Sequence, residues 1–253
     1  MKILIINPNI SERTTASIDS IAKTILGGSD VSVTTTSSAF GVEYISTWAE
    51  NVVGAHGALA AFAEASKAGP FDAVIVASFS DAGAEAIREV AGCPVVGMAQ
   101  AAMGAAARIG RFAVINSAPG LKALIRERAV SAGLGERLAG IVCAPEGSIR
   151  LAVDFDAGVD VLVGLANEAI DTLGAEVIVV GGAPISDAAR AVRARVAVPV
   201  VEGISEAVRR ALQPEPSDVL PKRVAARPAK RAVGIAPSLA RVIGAALETA
   251  SAR

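Results

Sequence analysis

One stretch of this chain occurs twice, and that repeat limits what it can fold into. Residues 72–102, DAVIVASFSDAGAEAIREVAGCPVVGMAQAA, share their pattern with residues 176–207, EVIVVGGAPISDAARAVRARVAVPVVEGISEA. Each copy opens on a β-branched run (Val74, Ile75, Val76; Ile178, Val179, Val180), passes through a small polar loop into a helical stretch, and closes on a strand beginning Pro-Val-Val. Uninterrupted apolar runs of this length read as strands buried on both faces of a parallel sheet, and the intervening helix makes each copy a βαβ unit. Ligands of such units bind at the carboxyl ends of the strands. Aligning the copies sets Ser78 opposite Gly182, each at the end of its strand.

The repeat extends beyond these segments. KILII before Asn7-Pro8-Asn9 is echoed by RFAVI, residues 111–115, before Asn116-Ser117-Ala118-Pro119. In the first half, Ser11 is placed to cap a helix that ends near Leu26 at Gly27-Gly28. A strand over 31–36 follows, then a helical stretch over 43–68 that Gly54 and Gly57 should break on either side of His56. The second half supplies a helix over 120–132, a strand over 139–143 and a long helix over 159–173. Two halves with one element order predict an α/β protein of two pseudo-symmetric lobes with a cleft between them. The expected division is 1–98 with 206–253 for the first lobe and 99–205 for the second. From Gln213 onward, PEPSDVLPKRVAARPAKRA reads as an extended strap, and Ser238–Ala250 as a closing helix. The basic residues Lys222 to Arg231 suit a solvated surface segment or an anion site.

At 253 residues, 52% apolar but only 3% aromatic, the chain has the Ala/Val/Gly texture of helices packed closely on parallel strands. A formal net charge of −1, with no basic block before the tail, argues against nucleic acid as a partner. Cys93 and Cys143 have no metal spacing, and His56 is the only histidine, so neither a zinc site nor another metal centre is expected. There is no GxGxxG or Walker loop to hold a nucleotide cofactor. The opening MKILIINPN is too short and polar for a signal peptide, and no apolar run is long enough to span a bilayer. A cytoplasmic protein acting on a small molecule, without membrane contact, is the expectation.

Several motifs in order carry a resemblance: NPN at Asn7 to Asn9, TTTSSAFGVEYI at Thr34 to Ile45, FSDAG at Phe79 to Gly83, PVVGMAQAAM at Pro94 to Met103, and GGAP at Gly181 to Pro184. With these, the chain resembles the aspartate/glutamate/hydantoin racemase superfamily, in its hydantoin and allantoin racemase branch. The resemblance implies a four-stranded parallel sheet flanked by helices in each lobe. It also implies an active-site cleft between the lobes, no cofactor, and chemistry on the carbon beside a carbonyl. Homo-oligomers are common among relatives. Typical members set one cysteine from each lobe on opposite faces of the substrate, one removing and one returning the α-proton. A free thiol titrates near about 8.5 and is readily tuned toward neutrality.

By that resemblance, the two cysteine positions fall on Ser78 and Gly182. Serine stays protonated near neutrality unless a base takes its proton, and glycine has no side chain to offer. Cys93 and Cys143 fall where core-filling is expected. A symmetric two-thiol racemisation therefore lacks its actors, and an asymmetric site is expected instead. Ser78 needs a base, for which Asp81, Asp187 and His56 are candidates; Asp81 and Asp187 are equally placed to cap helices. The resemblance gives Asn7, Asn9, Ser37, Phe40, Phe79, Asn116, Ser117, Gly181 and Ala183 as substrate-binding, with Thr35, Ser38 and Glu43 near the same mouth. Asn and Ser in loops also bond their own backbone. Three activities stay open: an isomerase or lyase acting on a small cyclic ureide or carboxylate, a Ser78-dependent hydrolase, and a metabolite-binding protein without catalysis.

Overall fold

The computed structural model describes residues 1–145, 147, 149, 153–219 and 230–247. Its elements follow the repeat. In the first half β1 (Lys2–Asn7), α1 (Glu12–Leu26), β2 (Ser32–Ser37), α2 (Trp48–Ala65), β3 (Ala73–Val76), α3 (Ala84–Val90) and β4 (Val95–Gly97) build a four-stranded sheet ordered β2-β1-β3-β4. α4 (Met98–Ile109) leads into β5 (Phe112–Asn116), α5 (Lys122–Ser131), β6 (Leu138–Cys143), α6 (Phe155–Leu173), β7 (Val177–Gly181), α7 (Ala189–Arg193) and β8 (Val200–Glu202). Those strands form the second sheet, ordered β6-β5-β7-β8, and every pairing in both sheets is parallel. α8 (Gly203–Leu212) follows β8.

The equivalence of the halves extends to single bonds. The Asp72 carboxylate accepts from the backbone N–H of Lys2 at 2.7 Å, and Glu176 accepts from that of Arg111 at 2.6 Å. Arg88 donates from Nη2 to the Val95 carbonyl at 2.7 Å, and Arg193 does the same to Val200 at 2.9 Å. Each acid ties the start of one strand to the start of its neighbour, and each arginine ties a helix to the following strand. One core runs through both halves: Ile3, Ile5 and Ile75 of the first sheet belong to the same buried cluster as Phe112, Val114 and Val179 of the second, joined by α4 and α8.

Three expectations need correction. The helix after the Ser37 loop begins at Trp48, where Thr47 and Glu50 form a reciprocal capping box, and it runs unbroken through Gly54 and Gly57. Those glycines serve close approach. A Cβ on Gly54 would collide with Ile45, and one on Gly57 with Ser38. The closing helix is shorter than expected: α9 (Pro237–Ile243) stops at Gly244, in left-handed conformation at φ 69°. A strand, β10 (Ala245–Leu247), then pairs with β9 (Lys230–Ala232), so the strap ends in a small sheet; the basic residues from Lys222 to Arg227, and 248–250, lie outside the described residues. At its start the strap is turned rather than extended, with buried Asp218 accepting from Arg210 Nε at 2.9 Å.

Candidate active site

The carboxyl ends of β3 and β7 open into one cavity of about 330 Å³. Its wall includes Ala77, Ser78 and Phe79 from the first half, and Asn116, Ser117, Ala118, Gly182, Ala183 and Pro184 from the second. Asn9 and the first turns of α1 (Ser11, Arg13, Thr14, Ser17) add a further side, and Glu43, Tyr44 and Ile45 another. Ser78 and Gly182 thus share a chamber of the size that holds a small metabolite.

Both halves build the floor by one device, with different results. The Asn7 side-chain oxygen accepts from the N–H of Asn9, and that of Asn116 accepts from Ala118, two residues on in each case. Asn7 is fully buried and donates to Asn9 Oδ1 at 2.8 Å and Thr15 Oγ1 at 3.0 Å, which consumes it in shaping the NPN loop. Asn116 instead donates across to the Gly181 carbonyl and lies on the cavity wall.

Of the proposed binding residues, the cavity gathers Asn9, Phe79, Asn116, Ser117 and Ala183. Asn7, Ser37, Phe40 and Gly181 do not line it. Ser37 pairs in register with Asn7 inside the sheet. Phe40 tilts against His56 with ring centroids 5.0 Å apart, on the outer side of α2. Gly181 lies under Phe79: a Cβ there would come within 2.9 Å of the ring and 2.7 Å of Val114.

The candidate bases separate cleanly. His56 is exposed on α2 and away from the cavity wall. Asp81 is buried, with φ 51°, and its two oxygens accept from the N–H groups of Ala99 at 2.8 Å and Gln100 at 3.0 Å. It caps α4, and not the helix that follows it. Burial pushes its carboxyl up to about 6, against those two bonds, which pull it down. Asp187, at the second half's 3-10 turn, does line the cavity and accepts from Ser17 Oγ at 2.7 Å. Of the three carboxylate and imidazole candidates, only Asp187 shares a chamber with Ser78.

Ser78 is buried and pairs with the hydroxyl of Ser80 at 2.8 Å, and Ser80 is fully buried. Gly182 has φ 146°, a conformation L side chains rarely adopt, although a Cβ there would meet only ordinary contacts with Ile185 and Asn116. Neither cysteine lines the cavity. Burial pushes Cys93 up to about 11 and raises Cys143, so both thiols are held protonated in half-buried positions beside the core. Arg13, Ser17, Tyr44 and Ile149 were not legible as cavity residues from spacing. Arg13 alone left a signal, as a cation in the first turn of a helix, where an anion is favoured.

Comparison with known proteins agrees with this architecture. The family model described as Asp/Glu/Hydantoin racemase matches residues 3–211. A hydantoin racemase of Pseudomonas sp. (strain NS671) is 29% identical over 210 residues, covering 83% of this chain and 84% of the relative. The crystal structure of allantoin racemase from Pseudomonas fluorescens superposes with a TM-score of 0.78 at 29% identity, over 84% of this chain and 90% of that one. The maleate isomerase of Pseudomonas putida S16 shares the fold, with a TM-score of 0.64 at 18% identity over 84% of this chain and 92% of that one.

Proposed function

The chain belongs to the Asp/Glu/hydantoin racemase family, and from that premise we propose that it is a cofactor-independent enzyme acting beside a carbonyl of a small cyclic ureide or carboxylate, with an asymmetric pair of groups in place of two thiols. The observation that carries the reading is the shared chamber of Ser78, Gly182 and Asp187. In this reading the Asp187 carboxylate removes the α-proton, and the Ser78 hydroxyl, itself held by Ser80, orients a water that protonates the carbanion from the other face, the hydroxide left behind taking the proton that Asp187 gained. A carboxylate can perform such an abstraction when the developing enolate is stabilised by hydrogen-bond donors. In this reading Asn116 and Ser117, on the cavity wall at the end of β5, receive the carbonyl.

The opposite course is harder. Abstraction by Ser78 requires an alkoxide, and the only side chain bonded to its hydroxyl among the described residues is another serine. The same fact disfavours a serine hydrolase. Loss of CO2 from a malonate-like acid is a second reading, favoured by bare Gly182: cleavage itself creates the carbanion, and a proton is needed from the Ser78 face alone.

The test is proton NMR in D2O with single enantiomers of allantoin, 5-substituted hydantoins and small amino-dicarboxylates. Deuterium at the α-carbon that disappears in Asp187→Asn, with an inverted product that disappears in Ser78→Ala, is the expected result. A ring-opened product without exchange would replace this reading with hydrolysis. Absence of turnover, with ligand-induced thermal stabilisation, would make the chain a binding protein.

A further inference from the structure

Arg13 is the only cationic side chain on the cavity wall among the described residues. It sits in the first turn of α1, one turn before Ser17, with Ser11 capping the helix by accepting from Thr14 N–H at 3.2 Å. Glu12, in the same turn, answers the helix dipole at this end but does not line the cavity, which leaves the guanidinium as the charge presented to the chamber. Arg13 is exposed and makes no ion pair or side-chain hydrogen bond among the described residues; Arg126, Arg137 and Arg190 are likewise unpaired, but of these only Arg13 lines the cavity. The carboxylates on the same wall are Glu43, out of ion-pair reach of Arg13, and Asp187, held by Ser17.

We infer that Arg13 is a specificity-determining residue that receives a free carboxylate of the substrate, so that the cavity takes acidic ureides or carbon acids in preference to neutral ones. This rests on the small-molecule reading of the cavity given above. The guanidinium offers a planar fork of donors that matches a carboxylate.

The test uses a matched pair: hydantoin-5-acetic acid, which carries a carboxylate, and 5-methylhydantoin, which does not. Titration calorimetry on the full chain, at low salt and with added NaCl, gives the acid-to-neutral affinity ratio for the native protein, Arg13→Gln and Arg13→Lys. The native ratio is expected to be on the order of tenfold, to shrink with salt, to collapse toward one in Arg13→Gln, and to be partly kept in Arg13→Lys. A native ratio near one, a ratio that survives Arg13→Gln, or no binding of either compound overturns the inference. Running both compounds in D2O separates the two claims. Exchange into 5-methylhydantoin with no Arg13-dependent ratio leaves the proposed reaction standing and removes Arg13. An Arg13-dependent ratio without exchange supports the carboxylate site and removes the reaction.

Discussion

The loop after β3 and the loop after β7 occupy equivalent places but solve the same structural problems with opposite residues. Ser78-Phe79-Ser80-Asp81 in the first half corresponds to Gly182-Ala183-Pro184-Ile185 in the second. Each half must cap the helix after its fourth strand. In the first half the acid is Asp81, reaching α4 from the loop, and Gly97 leaves the room: a Cβ on Gly97 would overlap the Asp81 carboxylate. In the second half Ile185 stands at the loop position, and the acid has moved to Glu202, which caps its own helix by accepting from Ile204 N–H at 2.7 Å and Ser205 N–H at 2.8 Å. The first loop is thereby tied to α4, close to Ser78. The second is not tied to α8 by a carboxylate, and its glycine wall stays bare. Volume is traded in the same way: Phe79 fills the space over Gly181, while its counterpart is only Ala183.

This contrast can be broken at several points. The largest loss is expected from Phe79→Ala, which empties a 3%-exposed position packed between the halves and should lower unfolding free energy by about 3–5 kcal/mol in urea titrations. A loss under about 1 kcal/mol would mean the ring is not part of the shared core. Asp81→Ala should cost roughly 2–4 kcal/mol by stripping two N–H groups of α4 of their acceptor. Transposing the second half's solution, Asp81→Ile with Gly97→Glu, should recover a good part of that loss. If the double variant is no more stable than Asp81→Ala, the two caps are not equivalent.

A pH effect sharpens the same point. Asp81 in the folded chain titrates near 6, above its ordinary value near 3.8, so the folded state holds its proton more tightly than the unfolded state does. This group's contribution to stability is full below pH about 4 and declines as pH rises through 6. Relative to Asp81→Asn, the native chain should therefore lose up to about 3 kcal/mol between pH 4 and 7. A flat difference across that range would contradict the burial of an ionisable cap. The smallest effect is expected from Gly181→Ala, about 1–3 kcal/mol from crowding Phe79 and Val114, with a change of cavity shape that ligand affinity would register.

The sequence displayed the strands, the repeat and the pairing of Ser78 with Gly182, because buried parallel strands and their following loops are local patterns. It also placed Ser11 correctly as a helix cap. It could not show that Asp81 serves a helix 18 residues away, since the bond depends on how α4 docks and not on spacing. Gly54 and Gly57 misled for a related reason: in isolation glycine reads as a helix breaker, whereas here it admits Ile45 and Ser38 against an intact helix. Asn7 and Asn9 both bond within the loop, yet only packing decides that Asn9 also lines the chamber while Asn7 does not.

The direct test of the asymmetric site is the rate of α-deuterium exchange for each enantiomer of one substrate, measured separately by NMR with chiral analysis of the product. The account predicts exchange confined to the enantiomer whose proton faces Asp187. Equal exchange of both enantiomers would contradict it.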